Sequence, residues 1–289
     1  MNNTTKNNSI WLFEITPKNK FFALNIREVW QYRDLLMLFV KRDVVTVYKQ
    51  TVLGPLWYLI QPLFTAATFT IVFNNLAGIN TGIVPPFLFN LASITVWNYF
   101  TACLTGTANT FGANAGIFGK VYFPRIIAPL TVVISNLIKF VIQLVIFFSF
   151  YIYFYSNGAG IYCTPATLFF PFIIVLMGTL GLGLGMIIAA LVTKYRDLTY
   201  LIAFGVQLLM YVSAVVYPMN LIQEKMPDYV WIIKYNPLAY CIETTRFLLL
   251  GVGDLPVWGM VYTFVITVVV LLLGIVLFNH TEKSFIDTV

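Results

Sequence analysis

Apolar runs of roughly twenty residues recur along this chain, each long enough to cross the ~30 Å hydrocarbon core of a bilayer as a helix. They fall at about 53–74, 87–107, 127–154, 167–192, 199–217 and 257–278. Soluble domains do not sustain such a pattern. Of the 289 residues 60% are hydrophobic and only 10% charged, where a globular chain carries about a quarter charged residues. A β-barrel would alternate in short segments of about ten residues, whereas these runs are continuous. The expected fold is an all-α polytopic membrane protein, one domain with six transmembrane helices.

Two stretches outside the spans also carry pattern. Residues 25–43 read as an amphipathic helix, opened by a capping-box-like Asn25 and Glu28. Ile26, Val29, Trp30 and Met37 oppose Arg27, Gln31, Asp34 and Lys41. The apolar core of that helix is too short to cross, so it is expected to lie in the membrane interface. Residues 1–20 are polar and expected to be loosely ordered, with no hydrophobic region of a cleavable signal peptide. Residues 218–256 are too polar for a span and too apolar for a free loop. Two short helices, about 220–232 and 238–250, are expected there as a re-entrant pair, separated by Tyr235-Asn236-Pro237.

Positive charge sets the orientation. With these spans, thirteen of the seventeen Lys and Arg residues fall on one side, including the basic shelf Lys41, Arg42 and Lys49 before the first span. Lys225, Lys234 and Arg246 fall on the other, and Lys139 lies within the third span. The bias places both termini in the cytoplasm. A net charge of +6 therefore serves orientation rather than nucleic-acid binding.

Catalytic chemistry finds little support. Residues 112–120, GANAGIFGK, end in Gly-Lys, but the glycine spacing is too long for a P-loop and Val121 stands where Ser or Thr is needed. The single histidine, His280, is in the tail, and no Asp or Glu lies in the first four spans. That removes a buried catalytic base and a carboxylate proton relay. Cys103, Cys163 and Cys241 form no metal-spaced cluster, and a disulfide between Cys163 and Cys241, both on the outer side, stays open. Gly181-x-x-x-Gly185 reads as a close helix-packing face rather than a dinucleotide motif. No catalytic residue and no metal site are expected.

Three groups of residues suit a transporter. The first span begins after Gly54-Pro55, is expected to bend at Pro62, and carries a polar stripe through Tyr58, Gln61, Thr65 and Thr68. With Trp57, Phe64 and Phe69, and Tyr200, Phe204 and Tyr211 on the fifth span, it is a candidate conduit lining. Aromatic rings offer flat, sequence-tolerant surfaces to sugars, although packing is a role open to each of them. Around the re-entrant pair, Tyr217, Pro218, Glu224, Asn236, Pro237, Glu243 and Arg246 form a candidate outer gate. Glu243 and Arg246 are spaced to pair on a helix, and charges at that depth are expected to face water or the conduit mouth. Lys139, flanked by Asn136 and Gln143 on one face, is open to two roles: structural pairing or contact with an anionic substrate group.

Several of these stretches also carry a resemblance. VKRD (40–43) and YKQTVLGPLWYLIQPL (48–63) look like the start of the permease subunit of ABC-2 type polysaccharide exporters. GKVYFPRIIAPL (119–130), KYRDL (194–198), YPMNLI (217–222) and YNPLAYCIETTR (235–246) are similar to later signatures, so the likeness runs over residues 29–246. That family moves O-antigen, capsule or teichoic-acid chains.

The resemblance implies a set of partners. They are a second copy of the chain, two copies of a separate subunit that binds ATP and Mg, and a lipid-linked polymer in the bacterial cytoplasmic (inner) membrane. It implies no cofactor in this chain. It further implies that residues 109–120 form a coupling helix, with Asn109, Asn114, Ile117, Phe118, Lys120, Tyr122 and Arg125 as the residues that meet the ATPase. Two alternatives remain: a permease for a small hydrophobic compound, and a membrane-embedded transferase, against which the lack of a convergent His/Asp/Glu set argues.

Overall fold

The computed structural model describes residues 26–49, 54–162, 165–195, 197–253 and 255–286. The expectations for residues 1–20, for the Asn25 cap and for Cys163 lie outside them, as do the side chains of Lys49 and Pro55. Among the described residues the chain is helical throughout, with no strand.

The helix expected over residues 25–43 forms as two pieces, α1 (Ile26–Gln31) and α2 (Arg33–Lys49), broken at Tyr32. After a 3₁₀ turn at Gly54–Leu56, α3 (Trp57–Phe69) runs on through Thr70–Leu76 with π-type bonding. Pro62 sits buried inside α3, where it removes one helical bond. α4 (Pro86–Ala108) starts on a proline, which fits the first turn because its missing N–H is not needed there. α5 (Thr110–Phe118) and α6 (Ile127–Ser156) follow.

α7 (Phe170–Lys194) extends a 3₁₀ turn at Pro165–Phe169, and α8 spans Leu198–Val212. Three short helices then occupy the irregular region: α9 (Asn220–Lys225), α10 (Val230–Lys234) and α11 (Pro237–Leu250). The expected helix 220–232 is thus split, because Pro227 opens a new 3₁₀ turn at Pro227–Tyr229. α12 (Val257–Ile286) closes the chain.

Five of these stretches are long and apolar enough to cross a membrane: Trp57–Leu76, Pro86–Ala108, Ile127–Ser156, Pro165–Lys194 and Val257–Glu282. α8 is apolar but has only 15 residues, about 22 Å of helix at 1.5 Å per residue. At the other extreme α12 continues past residue 278, the expected end of the last span, to Ile286. Tertiary contacts explain the extension. Phe278 is fully buried and stacks on Phe111 at 4.6 Å, and Glu282 is held by Arg125.

α4 and α7 form the centre. In a bilayer, lipid tails are as apolar as leucine, so helices associate by close van der Waals fit rather than by hydrophobic expulsion. The glycines of α7 supply that fit on both of its faces. A Cβ on Gly181 would sit 2.9 Å from Cys103 Cβ and 3.1 Å from the Phe100 carbonyl; one on Gly185 would sit 2.5 Å from Thr107 Cβ. On the opposite face, a Cβ on Gly183 would lie 2.9 Å from Leu271 Cα of α12. The expected packing face is real, and it is double.

Two apolar cores result. The larger lies among α4, α6, α7 and α11, built on residues such as Phe89, Phe100, Phe140, Leu180 and Leu249. The smaller joins α2, α5, the start of α6 and the ends of α7 and α12, through Phe39, Phe111, Phe118, Phe123, Met186 and Phe278. Lys120, Arg125 and Lys194 gather at this second core, which marks the basic end of the bundle.

Candidate functional site

At the end opposite the basic one, α8 stops at Val212, five residues before the expected boundary, and Ser213–Tyr217 runs as irregular backbone. Ala214 takes a left-handed φ of 54°, a conformation that costs an L-residue roughly 1–2 kcal/mol. The carbonyls released here are taken up by α11. Arg246 donates from Nη2 to the carbonyls of Ala214 (2.8 Å) and Val215 (2.7 Å), and from Nη1 to that of Tyr217 (3.0 Å). Its Nε reaches Ser93 Oγ of α4 at 2.8 Å, and Nη1 also meets Glu243 Oε2 at 3.2 Å.

A guanidinium has five N–H donors, and these five acceptors satisfy the full set. Arg246 is 1% exposed and lies 3.9 Å over the ring of Phe89. Burial draws its pKa down to about 10 while Glu243 opposes the shift, so the group stays charged at neutral pH. The expectation that this charge faces water or the conduit mouth is corrected. Arg246 pairs with Glu243 as the spacing suggests, but it is an internal clamp.

Asn236 performs a parallel task. Its side chain accepts from the Leu238 N–H at 3.0 Å, capping α11, and donates to Ser213 Oγ at 3.0 Å and the Val212 carbonyl at 3.3 Å. Thr263 of α12 bonds the Pro237 carbonyl, and Thr167 bonds that of Leu248. α11 is therefore fixed along its length, with Cys241 fully buried as a free thiol. The other gate candidates behave differently. Pro218, Glu224 and Glu243 line a cavity of about 690 Å³ bounded also by Asn80 to Gly82 and by Lys234. Glu224 and its neighbours from Gln223 to Tyr229 are exposed.

At the basic end, α5 presents one face outward and one inward. Gly112, Ala113 and Gly116 of α5 are exposed, as are Asn109 before it and Lys120 and Tyr122 after it, Tyr122 at 93%. Ile117 is half-buried. Asn114, Phe118 and Arg125 are buried, and so support the surface rather than form it. Arg125 lies 5.3 Å over the Phe118 ring, donates to the Glu282 carbonyl at 2.9 Å and pairs with its carboxylate at 3.6 Å. On the basic shelf, Lys41 is exposed and Arg42 pairs with Asp43 at 2.8 Å while covering Phe39.

The conduit candidates divide into three. Trp57, Phe64, Tyr200, Phe204 and Tyr211 are exposed, and α8 has no buried residue among those described. Phe69 packs edge-on against Phe73 at the margin of the main core, and Thr65 bonds back to the Gln61 carbonyl. Tyr58 and Gln61 turn to α4 and α6, where they line a cavity of about 270 Å³ with Lys139.

Sequence reasoning missed Ser93 and Asn90 on α4. Asn90 is fully buried and donates to Asn74 Oδ1 (2.9 Å) and Thr70 Oγ1 (3.1 Å), fastening the π-type turn. A polar residue amid the apolar run 87–107 was the available signal for each.

Residues 34–250 match the family described as ABC-2 type transporter. An O-antigen export system permease protein RfbA of Klebsiella pneumoniae is 28% identical over 258 residues, covering 88% of this chain and 94% of that protein. A second Klebsiella pneumoniae protein of the same name is 26% identical over the same shares. The Myxococcus xanthus protein of that name is 28% identical over 200 residues, 69% of this chain and 74% of its own length. With its membrane-length helices and a family match spanning most of the sequence, the chain belongs to the ABC-2 type transporter family.

Proposed function

We propose that this chain is the membrane subunit of an ATP-driven exporter that moves a lipid-linked, O-antigen-like polysaccharide across the bacterial cytoplasmic membrane. The names of the three relatives support the substrate class. One structural observation carries the rest: the helices bearing the conduit aromatics, α3 and α8, are left on the surface while the space among α4, α6, α7 and α11 is filled by side chains. A polymer path therefore belongs between two copies of the chain, with Trp57, Phe64, Tyr200, Phe204 and Tyr211 facing it.

In this reading the basic end is cytoplasmic, as are both termini. α8 with the irregular 213–217 makes the sixth crossing, and α9 to α11 dip back from the outer surface against protein. The chain encodes no nucleotide site, so a separate ATP-binding subunit, in two copies, binds ATP and Mg and drives the cycle through the exposed face of α5. α1 and α2 lie along the cytoplasmic interface.

Deletion and complementation test the proposal. Loss of the chain should remove polymer from the cell surface and leave it lipid-linked inside, and the tagged chain should copurify with an ATPase. Surface polymer that persists at normal length without this chain would overturn it.

A further inference from the structure

The 270 Å³ cavity among α3, α4 and α6 combines features that neither helix packing nor a polymer path requires. Its lining brings one cation, Lys139, to four carboxamides, Gln61, Asn98, Asn136 and Gln143, beside the ring of Tyr58, with no carboxylate among the lining residues. Lys139 Nζ donates to Asn136 Oδ1 at 3.1 Å and stands 5.4 Å over the Tyr58 ring. An ammonium has three donors, so at least one is left for an occupant. Thr101, in the same lining, has a buried hydroxyl with no hydrogen-bond partner among the described residues. Asp43 acts on Lys139 electrostatically from α2, but it is outside the lining and paired with Arg42 at 2.8 Å.

Size and depth narrow the occupant. The cavity falls just below the ~300 Å³ at which drug-sized pockets begin, so it suits a headgroup and not a sugar chain. Its residues come from the start of α3, the latter half of α4 and the middle of α6, which puts it on the basic side of the middle of α3 and α4. Retaining a lysine there is costly unless the charge is used, because an apolar residue of the same length would sit more cheaply in a span. Amide N–H groups and an ammonium converging on one space are the donors that a phosphate group accepts from.

We propose that this cavity binds a lipid-borne phosphate at the inner half of the membrane, with Lys139 as the charge partner and Gln61, Asn98 and Gln143 as donors. The site deepens the export reading, on which it rests in naming the phosphate of a lipid-linked substrate as one source; membrane phospholipid is the other.

Binding to the full chain in phosphatidylcholine nanodiscs, without ATPase or glycan, tests it. The probe is a fluorescent long-chain alkyl monophosphate, with the matching alkyl alcohol as control. Lys139→Met should weaken the phosphate by about tenfold or more, the loss of one well-placed charged contact, and Gln143→Leu by a smaller factor, with no change for the alcohol. Thermal unfolding of both variants checks that they fold, and Gln143→Leu carries the test should Lys139→Met melt early. Competition by phosphatidic acid would assign the site to membrane phospholipid, and its failure to compete to a carrier-type phosphate. Competition by inorganic phosphate at equal strength would overturn the lipid-borne source. Equal affinity of wild type and both variants, or equal binding of the alcohol, would overturn the site even where export proceeds. A Lys139-dependent site in a chain whose deletion leaves surface polymer intact would keep the site and remove the export reading.

Discussion

Arg246 and Ser93 stand 153 residues apart in the chain and are joined by a 2.8 Å hydrogen bond in the interior. Through it α11 is fastened to α4, and the remaining four donors of the guanidinium hold the end of α8 and Glu243. Removing the cation leaves Glu243 and three carbonyls without it, and breaking such a buried pair costs about 3–5 kcal/mol. Arg246→Met should therefore lower the unfolding midpoint of the solubilised chain sharply. Ser93→Ala removes one bond of five and should cost less, about 1.5–3 kcal/mol for a bond to a charged group. Similar melting of the two variants would show that the clamp does not bear on stability.

The glycines of α7 make a second prediction. Gly185→Val forces a branched side chain where even a Cβ would meet Thr107 Cβ at 2.5 Å, so α4 and α7 must part. Membrane yield of folded chain should collapse. Gly205→Ala on α8, where nothing lies within 4 Å, should be neutral or gain up to about 1 kcal/mol of helix propensity. Size-exclusion profiles of the two variants decide it.

What the sequence makes legible follows from how local each cause is. Run length alone predicts α4 and α6 to within two residues and α7 to within three, because crossing a bilayer is a one-dimensional requirement. The start of α11 is written in Asn236-Pro237, a cap followed by a first-turn proline. The end of α8 is not legible, since Ser213 to Val216 are as apolar as the helix before them. Three carbonyls of the segment that follows α8 are held instead by Arg246, 29 to 32 residues on. The same holds at the tail, where Glu282 joins a helix because Arg125 holds it. Burial of Arg246 was equally hidden, for its acceptors come from three separate segments.

The proposed docking of an ATPase on and beside α5 makes a sharper prediction once the buried residues are set aside. Cysteine at Tyr122, 93% exposed, or at Lys120 should crosslink to the partner ATPase, while cysteine at the buried Phe118 should not. Labelling of Tyr122→Cys by an impermeant reagent in intact cells would place this face outside and sink the assignment.

α1 and α2 present Trp30, Met37 and Leu38 outward at 61–68% exposure, while Phe39 and Val40 pack inward. An apolar strip left open beside Arg33, which lies 5.6 Å over Trp30, fits a headgroup boundary. With the other five tryptophans replaced, Trp30 should be quenched most strongly by labels at headgroup depth. Quenching by aqueous iodide at the rate of a free indole would count against an interfacial helix.

The outer gate is narrower than residue spacing suggests. α11 is clamped by Asn236, Arg246, Thr263 and Thr167, so it cannot swing without breaking buried bonds. Ahead of it, Gln223 to Tyr229 are exposed and Pro227 divides the short helices, whereas α10 is held by buried Ile233 and by Tyr240, whose hydroxyl donates to the Lys234 carbonyl at 2.9 Å. Pro218 to Glu224 line the 690 Å³ cavity together with Asn80 to Gly82. A gate at this place would consist of α9 and the turn at Pro227 moving against the fixed α10 and α11, with Pro218 as its near end. Asn80 and Asn220 both line that cavity, so Asn80→Cys and Asn220→Cys are the pair to join with reducible bifunctional reagents of graded length. With the pair joined, export should stop, and it should return when the link is reduced, while either single cysteine exports normally. Undiminished export through a fully linked protein would make α9 and the turn at Pro227 a static cap that completes the packing of the subunit.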